Sequence, residues 1–302
     1  MRPRSCVAAL AVAGVLSAGC AAAHPPTHST AAPLWIASKA QRPTKVLVVV
    51  EENKTPRSAL AGMPHLAALA QTYGKTTAYK AVTHPSLPNY LALAGGSTFG
   101  VHDDAGPTSH PITGPSVFDR VIAGGRTAKT YAESMPTACA RTSTSRYAVK
   151  HNPWAYFTDA ASRAHCNRFD VPLGSTAAGA LRADVDAGML PTVGLVIPDI
   201  CNDAHDCSLA TADDWLNRWL GVIRQGADYR AGRLVIVVTF DEDDYSADNT
   251  VQTVVVSPYT SHVVANRALT HYSLTRYLAE LTATSPLRAA ATAPSLRTDF
   301  RL

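Results

Sequence analysis

Three short stretches of this sequence carry side chains that could do chemistry together. Val50-Glu51-Glu52-Asn53 and Phe240-Asp241-Glu242-Asp243-Asp244 each place acidic residues directly after an apolar, β-branched run. Carboxylates converging from two strand ends repel one another unless a cation lies between them, and hard oxygen donors of this kind suit a divalent metal. Between the two clusters stands Thr83-His84-Pro85-Ser86-Leu87-Pro88-Asn89-Tyr90-Leu91, two prolines and a serine leading into an apolar helical pattern that stops at Gly95-Gly96. Pro88 suits the first turn of a helix, so Ser86 falls near its N-cap. Free N–H groups and positive potential at a helix start would serve a phosphoryl group. Either acidic cluster alone reads as a surface turn, and the serine alone as a cap. Two clusters at equivalent strand ends, with the serine between them, make a site.

The elements that must position these residues are legible. Lys45–Val50 and Leu234–Thr239 are continuous runs of the kind a central parallel strand, covered on both faces, requires. Thr192–Ile197 and Thr253–Val256 are two further strand candidates. Helical patterns open at His65–Ala70, recur at Leu216, Trp219, Leu220 and Ile223, and recur again from Tyr272 to Leu281. Strands alternating with helices predict an α/β fold, a doubly wound and mostly parallel sheet flanked by helices, with its site at the carboxyl ends of the strands. Residues 134–175 lack a pattern and read as an excursion over one face, with Trp154 and Tyr156 as core. A single domain over residues 44–302 is expected.

The N-terminus sets the compartment. Arg2 and Arg4 precede an apolar run from Val7 to Leu16 that is too short for a resident span and reads as an export signal over residues 1–19. Leu16-Ser17-Ala18-Gly19-Cys20 resembles a bacterial lipobox, which would make Cys20 the lipidated first residue and attach the chain to a membrane; ordinary signal cleavage near Ala21–His24 is the alternative. Residues 20–43, rich in Ala, Pro, Thr and Ser, read as a flexible tether. Cys139, Cys166, Cys201 and Cys207 remain, and sequence proximity favours Cys139–Cys166 and Cys201–Cys207 among the three pairings. No CxxC spacing supports a zinc site. The formal charge of +4 is not gathered into basic runs, so no nucleic-acid partner is expected.

With these residues in hand, the chain resembles a known family. Val50-Glu51-Glu52-Asn53, Thr83 through Leu93, Cys201-Asn202-Asp203-Ala204-His205-Asp206-Cys207-Ser208, Thr239 through Asp244 and His271-Tyr272-Ser273 occur in this order. Together they look like the bacterial phosphoesterases that include secreted acid phosphatases and phospholipases C, within the alkaline phosphatase-like superfamily. The likeness extends over roughly residues 45–300. It implies Ser86 as nucleophile and metal ligand, and Glu52, Asn53, Asp241 and Glu242 as the other metal ligands. It implies Asn89 as a phosphate contact, and His205 and His271 as histidines that bind phosphate or protonate the leaving group; His84, two residues before Ser86, is a third candidate, and His84 and Asp206 are further expected substrate contacts. The Asp-x-x-x-His and Asp-His spacings of two-zinc alkaline phosphatases are missing at Asp241. One divalent cation is therefore expected, with calcium, magnesium and manganese all compatible with the oxygen-rich set.

The reaction that follows is hydrolysis of a phosphate monoester. The Ser86 alkoxide attacks phosphorus in line, giving a phosphoserine that water then opens. The partner is a small phosphorylated substrate, with a phospholipid or phosphoinositide among the options. Two alternatives stand beside it: a phospholipase C-type phosphodiesterase, for which residues 134–175 would need to leave room for a second ester, and a non-catalytic lipoprotein that binds phosphorylated ligands.

Overall fold

The computed structural model describes residues 42–302. The expected export signal, the expected lipidation at Cys20 and nearly all of the expected tether lie outside the described residues. Residues 42–302 gather into one compact unit.

Among the described residues ten strands follow one another: β1 Lys45–Glu51, β2 Gly74–Thr76, β3 Tyr79–Lys80, β4 Ala128–Ala132, β5 Asp170–Pro172, β6 Val193–Ile197, β7 Leu234–Phe240, β8 Thr253–Val256, β9 Val264–Ala265 and β10 Leu269–Thr270. Eight form one sheet in the order β5-β4-β6-β1-β7-β8-β2-β9, and β3 pairs with β10. The ladders of β4, β5, β6, β1 and β7 are parallel; β8 runs antiparallel to both β7 and β2. This is the mostly parallel α/β sheet expected from the sequence.

The central position of β1 explains its composition. Val48 pairs with Leu195 of β6 on one side and Val237 of β7 on the other. Val46 through Val50 and all of β7 are buried on both faces, so each residue adds to the core and none alternates with polar neighbours.

The helices pack in two separate groups. Pro56–Gly62, Pro64–Thr72, Ala180–Asp186 and Ala227–Arg230 gather on Leu209–Gln225, whose Leu216, Trp219, Leu220 and Ile223 form the predicted apolar stripe. Ser86–Gly95 packs with Val117–Ala123 and His271–Leu281. Among the described residues no helix is long and apolar enough to cross a membrane.

The 134–175 excursion is more ordered than its sequence suggests. It holds two 3-10 turns, Val149–His151 and Pro153–Tyr156, the helix Ala160–Phe169, and β5. Trp154 and Tyr156 are fully buried. The Cys139–Cys166 disulfide ties the excursion's start to that helix, and Cys201–Cys207 closes a second loop after β6. Both are the pairings that sequence proximity favours.

Candidate active site

The site forms where β1 and β7 end side by side. The ladder pairs Glu51 with Phe240, and one further backbone hydrogen bond, from Asp241 N to Glu51 O at 3.0 Å, brings the two acidic clusters together. Asn53 then turns the chain with φ +54°, a left-handed conformation that asparagine tolerates better than most residues. Its N–H donates to Asp241 Oδ1 at 3.1 Å. Its side-chain amide nitrogen donates to Glu242 Oε1 and Asp241 Oδ1 at 3.3 and 3.2 Å.

Ser86 is the first residue of its helix, and the N-cap is Pro85, with no side-chain cap bond. The serine hydroxyl is therefore not spent as a cap. It donates to Glu52 Oε2 at 3.1 Å and is 1 % exposed. The amide expected to be free at this helix start is partly occupied, because Leu87 N donates to Asp104 Oδ1 at 2.9 Å. The helix ends at Gly96, where φ is +67° and a Cβ would stand 2.3 Å from Leu287 O, so only glycine fits.

The expected metal ligands Glu52, Asn53, Ser86, Asp241 and Glu242 thus converge. Burial first, then the charges of Asp241 and Asp203, push the Glu52 carboxyl well above its usual range. Burial raises Asp241 as well, although His151 and hydrogen bonds from Asn53 N, Ser86 and Glu242 N oppose it. Glu242 is pushed up to about 9, by burial and then by Asp241 and Asp104. Asp241 Oδ2 is buried with no hydrogen-bond partner among the described residues. An oxygen-rich cage that resists ionisation and leaves an acceptor unmatched fits a hard divalent cation.

Two of the expected residues are engaged by protein partners. His271 is fully buried: its Nε2–H donates to the Asp241 carbonyl at 2.6 Å and its Nδ1 accepts from Tyr79 Oη at 3.1 Å. Burial lowers it to about 4, and its two nitrogens are engaged by the Asp241 carbonyl and the Tyr79 hydroxyl. Asn89 was expected to touch phosphate. Its Oδ1 accepts from Val82 N and Thr83 N at 2.9 and 3.1 Å, and its Nδ2 reaches Thr83 O, Pro85 O and Glu242 Oε2 at 2.7, 3.2 and 3.2 Å. With these partners it braces the loop before Ser86 and has no donor left over.

His205 fits its expected place better. It is part-exposed, Asp206 Oδ1 holds its Nδ1 at 2.7 Å, and Lys150 Nζ lies 3.4 Å from its Nε2. Asp206 therefore orients the histidine, and its own carboxylate is spoken for. His84 lies between Glu242 Oε2, 3.0 Å from Nδ1, and Asp243 Oδ1, 3.2 Å from Nε2, with its ring stacked on exposed Tyr245 at 3.9 Å.

Several residues here were not picked out from the sequence. Tyr90 donates a short hydrogen bond to Glu52. Lys150 pairs with Asp104 at 2.9 Å and sits near enough to Glu52 and Asp241 for their charges to raise it, against the effect of burial. His151, fully buried, stands 3.3 Å from Glu52 Oε1 and 3.2 Å from Asp203 Oδ2. Tyr90 alone had a visible signal, since it stands one turn after Ser86 on the same helix face. A lone lysine and histidine inside an unpatterned stretch had none.

A model of the Phosphoesterase family matches residues 52–282 of this chain. The chain belongs to that family. It is 33% identical over 281 residues to a phosphatidylinositol-3-phosphatase of Mycobacterium tuberculosis, spanning 90% of this chain and 87% of that protein. It is 31% identical over 228 residues to a phosphate-repressible acid phosphatase of Penicillium chrysogenum, covering 70% of this chain and 52% of the relative. The phosphoesterase described here spans only about half the length of its fungal relatives. Among solved structures, an alkaline phosphatase superfamily protein from Vibrio parahaemolyticus superposes with TM-score 0.55 at 12% identity, over 86% of this chain and 72% of that one, a likeness of fold. The protein is a hydrolase of phosphoric esters.

Proposed function

We propose that this phosphoesterase is an exported, divalent-cation-dependent phosphatase that hydrolyses phosphate monoesters through a phosphoserine at Ser86. The observation that carries the reading is the Ser86 hydroxyl donating into the Glu52 carboxylate inside a buried acidic cage. Glu52, Asn53, Asp241 and Glu242 would hold the cation together with Ser86. When bound, the cation supplies Lewis acidity, lowering the serine pKa and drawing charge from a phosphoryl oxygen.

The protein's own groups do the rest. Glu52 accepts the Ser86 hydrogen bond and fixes the direction of Oγ, with Tyr90 donating to the other carboxylate oxygen and His151 lying 3.3 Å from it. Lys150 supplies positive charge beside Glu52 and Asp241, where a phosphate dianion gathers. His205, oriented by Asp206, is placed at the rim, where a proton can pass to the departing alcohol. Asp104 and Asn89 keep the start of the Ser86 helix rigid.

A phosphorylated inositol lipid is the substrate class to test first, because the mycobacterial relative that spans 90% of this chain is named for that activity. The export signal and the Cys20 anchor rest on the sequence alone and would place such an enzyme at a membrane surface. Hydrolysis of p-nitrophenyl phosphate against the bis-ester from pH 4 to 9, with Ser86→Ala alongside, tests the reading. Preference for the diester would favour a phospholipase C-type enzyme, and undiminished activity in the variant would remove Ser86 as nucleophile.

A further inference from the structure

His205 is carried by the loop that follows β6, and one carboxylate shapes that loop. Asp199 is 4 % exposed. Its Oδ1 accepts from Cys201 N and Asn202 N at 3.1 and 3.2 Å, and its main-chain oxygen accepts from Asn202 N and Asp203 N at 2.8 and 2.9 Å. Asp203 Oδ1 in turn accepts from His205 N at 2.8 Å. The amides of Cys201, Asn202 and Asp203 are thus fixed by Asp199, and that of His205 at one remove.

Asp199 is itself held from another segment. Ser134 Oγ donates to its Oδ2 at 2.8 Å. Arg146, which precedes Lys150 by one helical turn's worth of sequence, grips it with two parallel bonds: Nε to Oδ2 at 2.9 Å and Nη2 to Oδ1 at 2.7 Å. The Arg146 carbonyl also accepts from Ile200 N at 3.1 Å. A guanidinium fork fixes orientation as well as distance, which a point charge does not. The Cys201–Cys207 disulfide closes the loop on itself, whereas this clamp fixes the loop against the segment that carries Lys150.

The two segments so joined supply the pair at the rim of the cage. Lys150 Nζ stands 3.4 Å from His205 Nε2, and Asp206 Oδ1 holds the other ring nitrogen at 2.7 Å. Nε2 is therefore the atom turned towards Lys150, the side chain whose own surroundings include Glu52 and Asp241. A proton can be handed over only if that nitrogen meets the departing oxygen, and a displacement on the scale of 1 Å costs about 100-fold in rate.

We propose that Arg146 and Asp199 are positioning residues for proton delivery: through the loop from Asp199 to Asp206 they set His205 Nε2 against the departing oxygen, and they matter most for esters of poorly leaving alcohols. This rests on the reading of His205 as the acid for the leaving group. As the P–O bond breaks, its electron pair moves to the ester oxygen, and His205 Nε2 gives that oxygen its proton. A p-nitrophenolate is stable without the proton and an alkoxide is not, so a misplaced histidine penalises alkyl esters selectively.

The test compares kcat on glycerol 2-phosphate with kcat on p-nitrophenyl phosphate, using the full chain in excess Mg²⁺ or Mn²⁺. His205→Gln calibrates it and should lose roughly 100-fold on the alkyl ester but less than about threefold on the aryl one. Arg146→Met should show the same selectivity, with roughly a tenfold loss on the alkyl ester and KM unchanged. Arg146→Lys keeps the charge without the fork and should fall between that variant and the wild type. If Arg146→Met does not fold, because Asp199 is left buried without its cation, Arg146→Lys and Asp199→Asn decide. Equal losses on both esters in the clamp variants, beside a selective loss in His205→Gln, overturn the proposal and leave the acid in place. A His205→Gln enzyme without selectivity removes His205 as the acid, and the proposal with it.

Discussion

The two ends of the same central strands treat buried acid in opposite ways. Just before β7 begins, and facing the first residue of β1, Asp228 is 1 % exposed, yet fully matched. Lys45 Nζ stands 2.7 Å away, Arg233 donates twice at 2.8 and 3.0 Å, and Leu190 N donates at 3.1 Å. At the carboxyl end, Glu52, Asp203, Asp241 and Glu242 crowd together, and Glu51, on the opposite face of β1 from Glu52, is buried with neither oxygen bonded among the described residues. A fold that neutralises an acid with its own lysine and arginine uses that acid for stability. One that gathers four acids around the single, already paired Lys150 leaves negative charge that a cation from solution would balance.

Ser86→Ala tests the functional end most sharply. Loss of the nucleophile should lower kcat/KM on p-nitrophenyl phosphate by roughly 10⁴-fold or more, while the melting temperature stays within a degree or two. Asp228→Ala should do the reverse. It strips two cations of their partner and should cost about 3 kcal/mol of stability, read as a lower denaturation midpoint, with kcat per folded molecule unchanged. Equal effects of the two substitutions on stability would erase the distinction between the ends.

How far the sequence led follows the same division. The β1, β6, β7 and β8 runs and the Leu209–Gln225 stripe were legible because burial on both faces, or along one stripe, leaves a periodic mark. Lys129 and Thr130 broke the pattern of β4, and β2 and β5 are too short to carry one. The strand-end acids and Ser86 could be read because each follows directly from a strong element. Lys150 and His151 could not, since long-range packing delivers them: Asn152 donates to Asp170 at 2.7 Å, and the Cys139–Cys166 link holds the same segment. The surroundings of His271 were hidden for a related reason. Its place in a recognisable motif said that it mattered, not that both its nitrogens would be consumed by Tyr79 and the Asp241 carbonyl.

Chelation and pH sharpen the contrast next. In the metal-free protein Glu242 is raised to about 9 and Asp203 to about 7, so the folded state keeps protons that the unfolded chain has released. Stability present at low pH is then lost as pH rises through those values. His151 and His271, lowered to about 3 and about 4, act in the opposite sense, but only below the ordinary histidine pKa near 6.5. Between pH 6.5 and 9 the chelated protein should therefore melt progressively lower. Saturating cation should remove most of that decline, and at about 100 times its Kd it would add about 2.7 kcal/mol. Asp170, raised to about 7 away from the cage, contributes the same slope to both samples, so their difference isolates the site. A gap between chelated and loaded protein that does not widen with pH would separate the raised carboxylates from cation binding.

The smallest effect is the most diagnostic. Asp241→Asn keeps shape and volume while removing one charge from a group of mutually repelling carboxylates. Its Oδ1 already accepts from Asn53 N and Glu242 N, and an amide oxygen can keep both bonds. In chelator the variant should be more stable than the wild type by about 1 kcal/mol, the scale of one pKa unit of relieved repulsion, whereas Asp228→Asn should be less stable. With cation present the order should reverse at Asp241, because the variant loses a ligand and with it the stabilisation that binding confers. One isosteric change, opposite in sign at the two ends of the same strands and dependent on metal at only one of them, follows only if the amino-end acid is held by the protein's own charges and the carboxyl-end acids by an ion. A destabilised Asp241→Asn in chelator would mean that the wild-type cage is already satisfied without one.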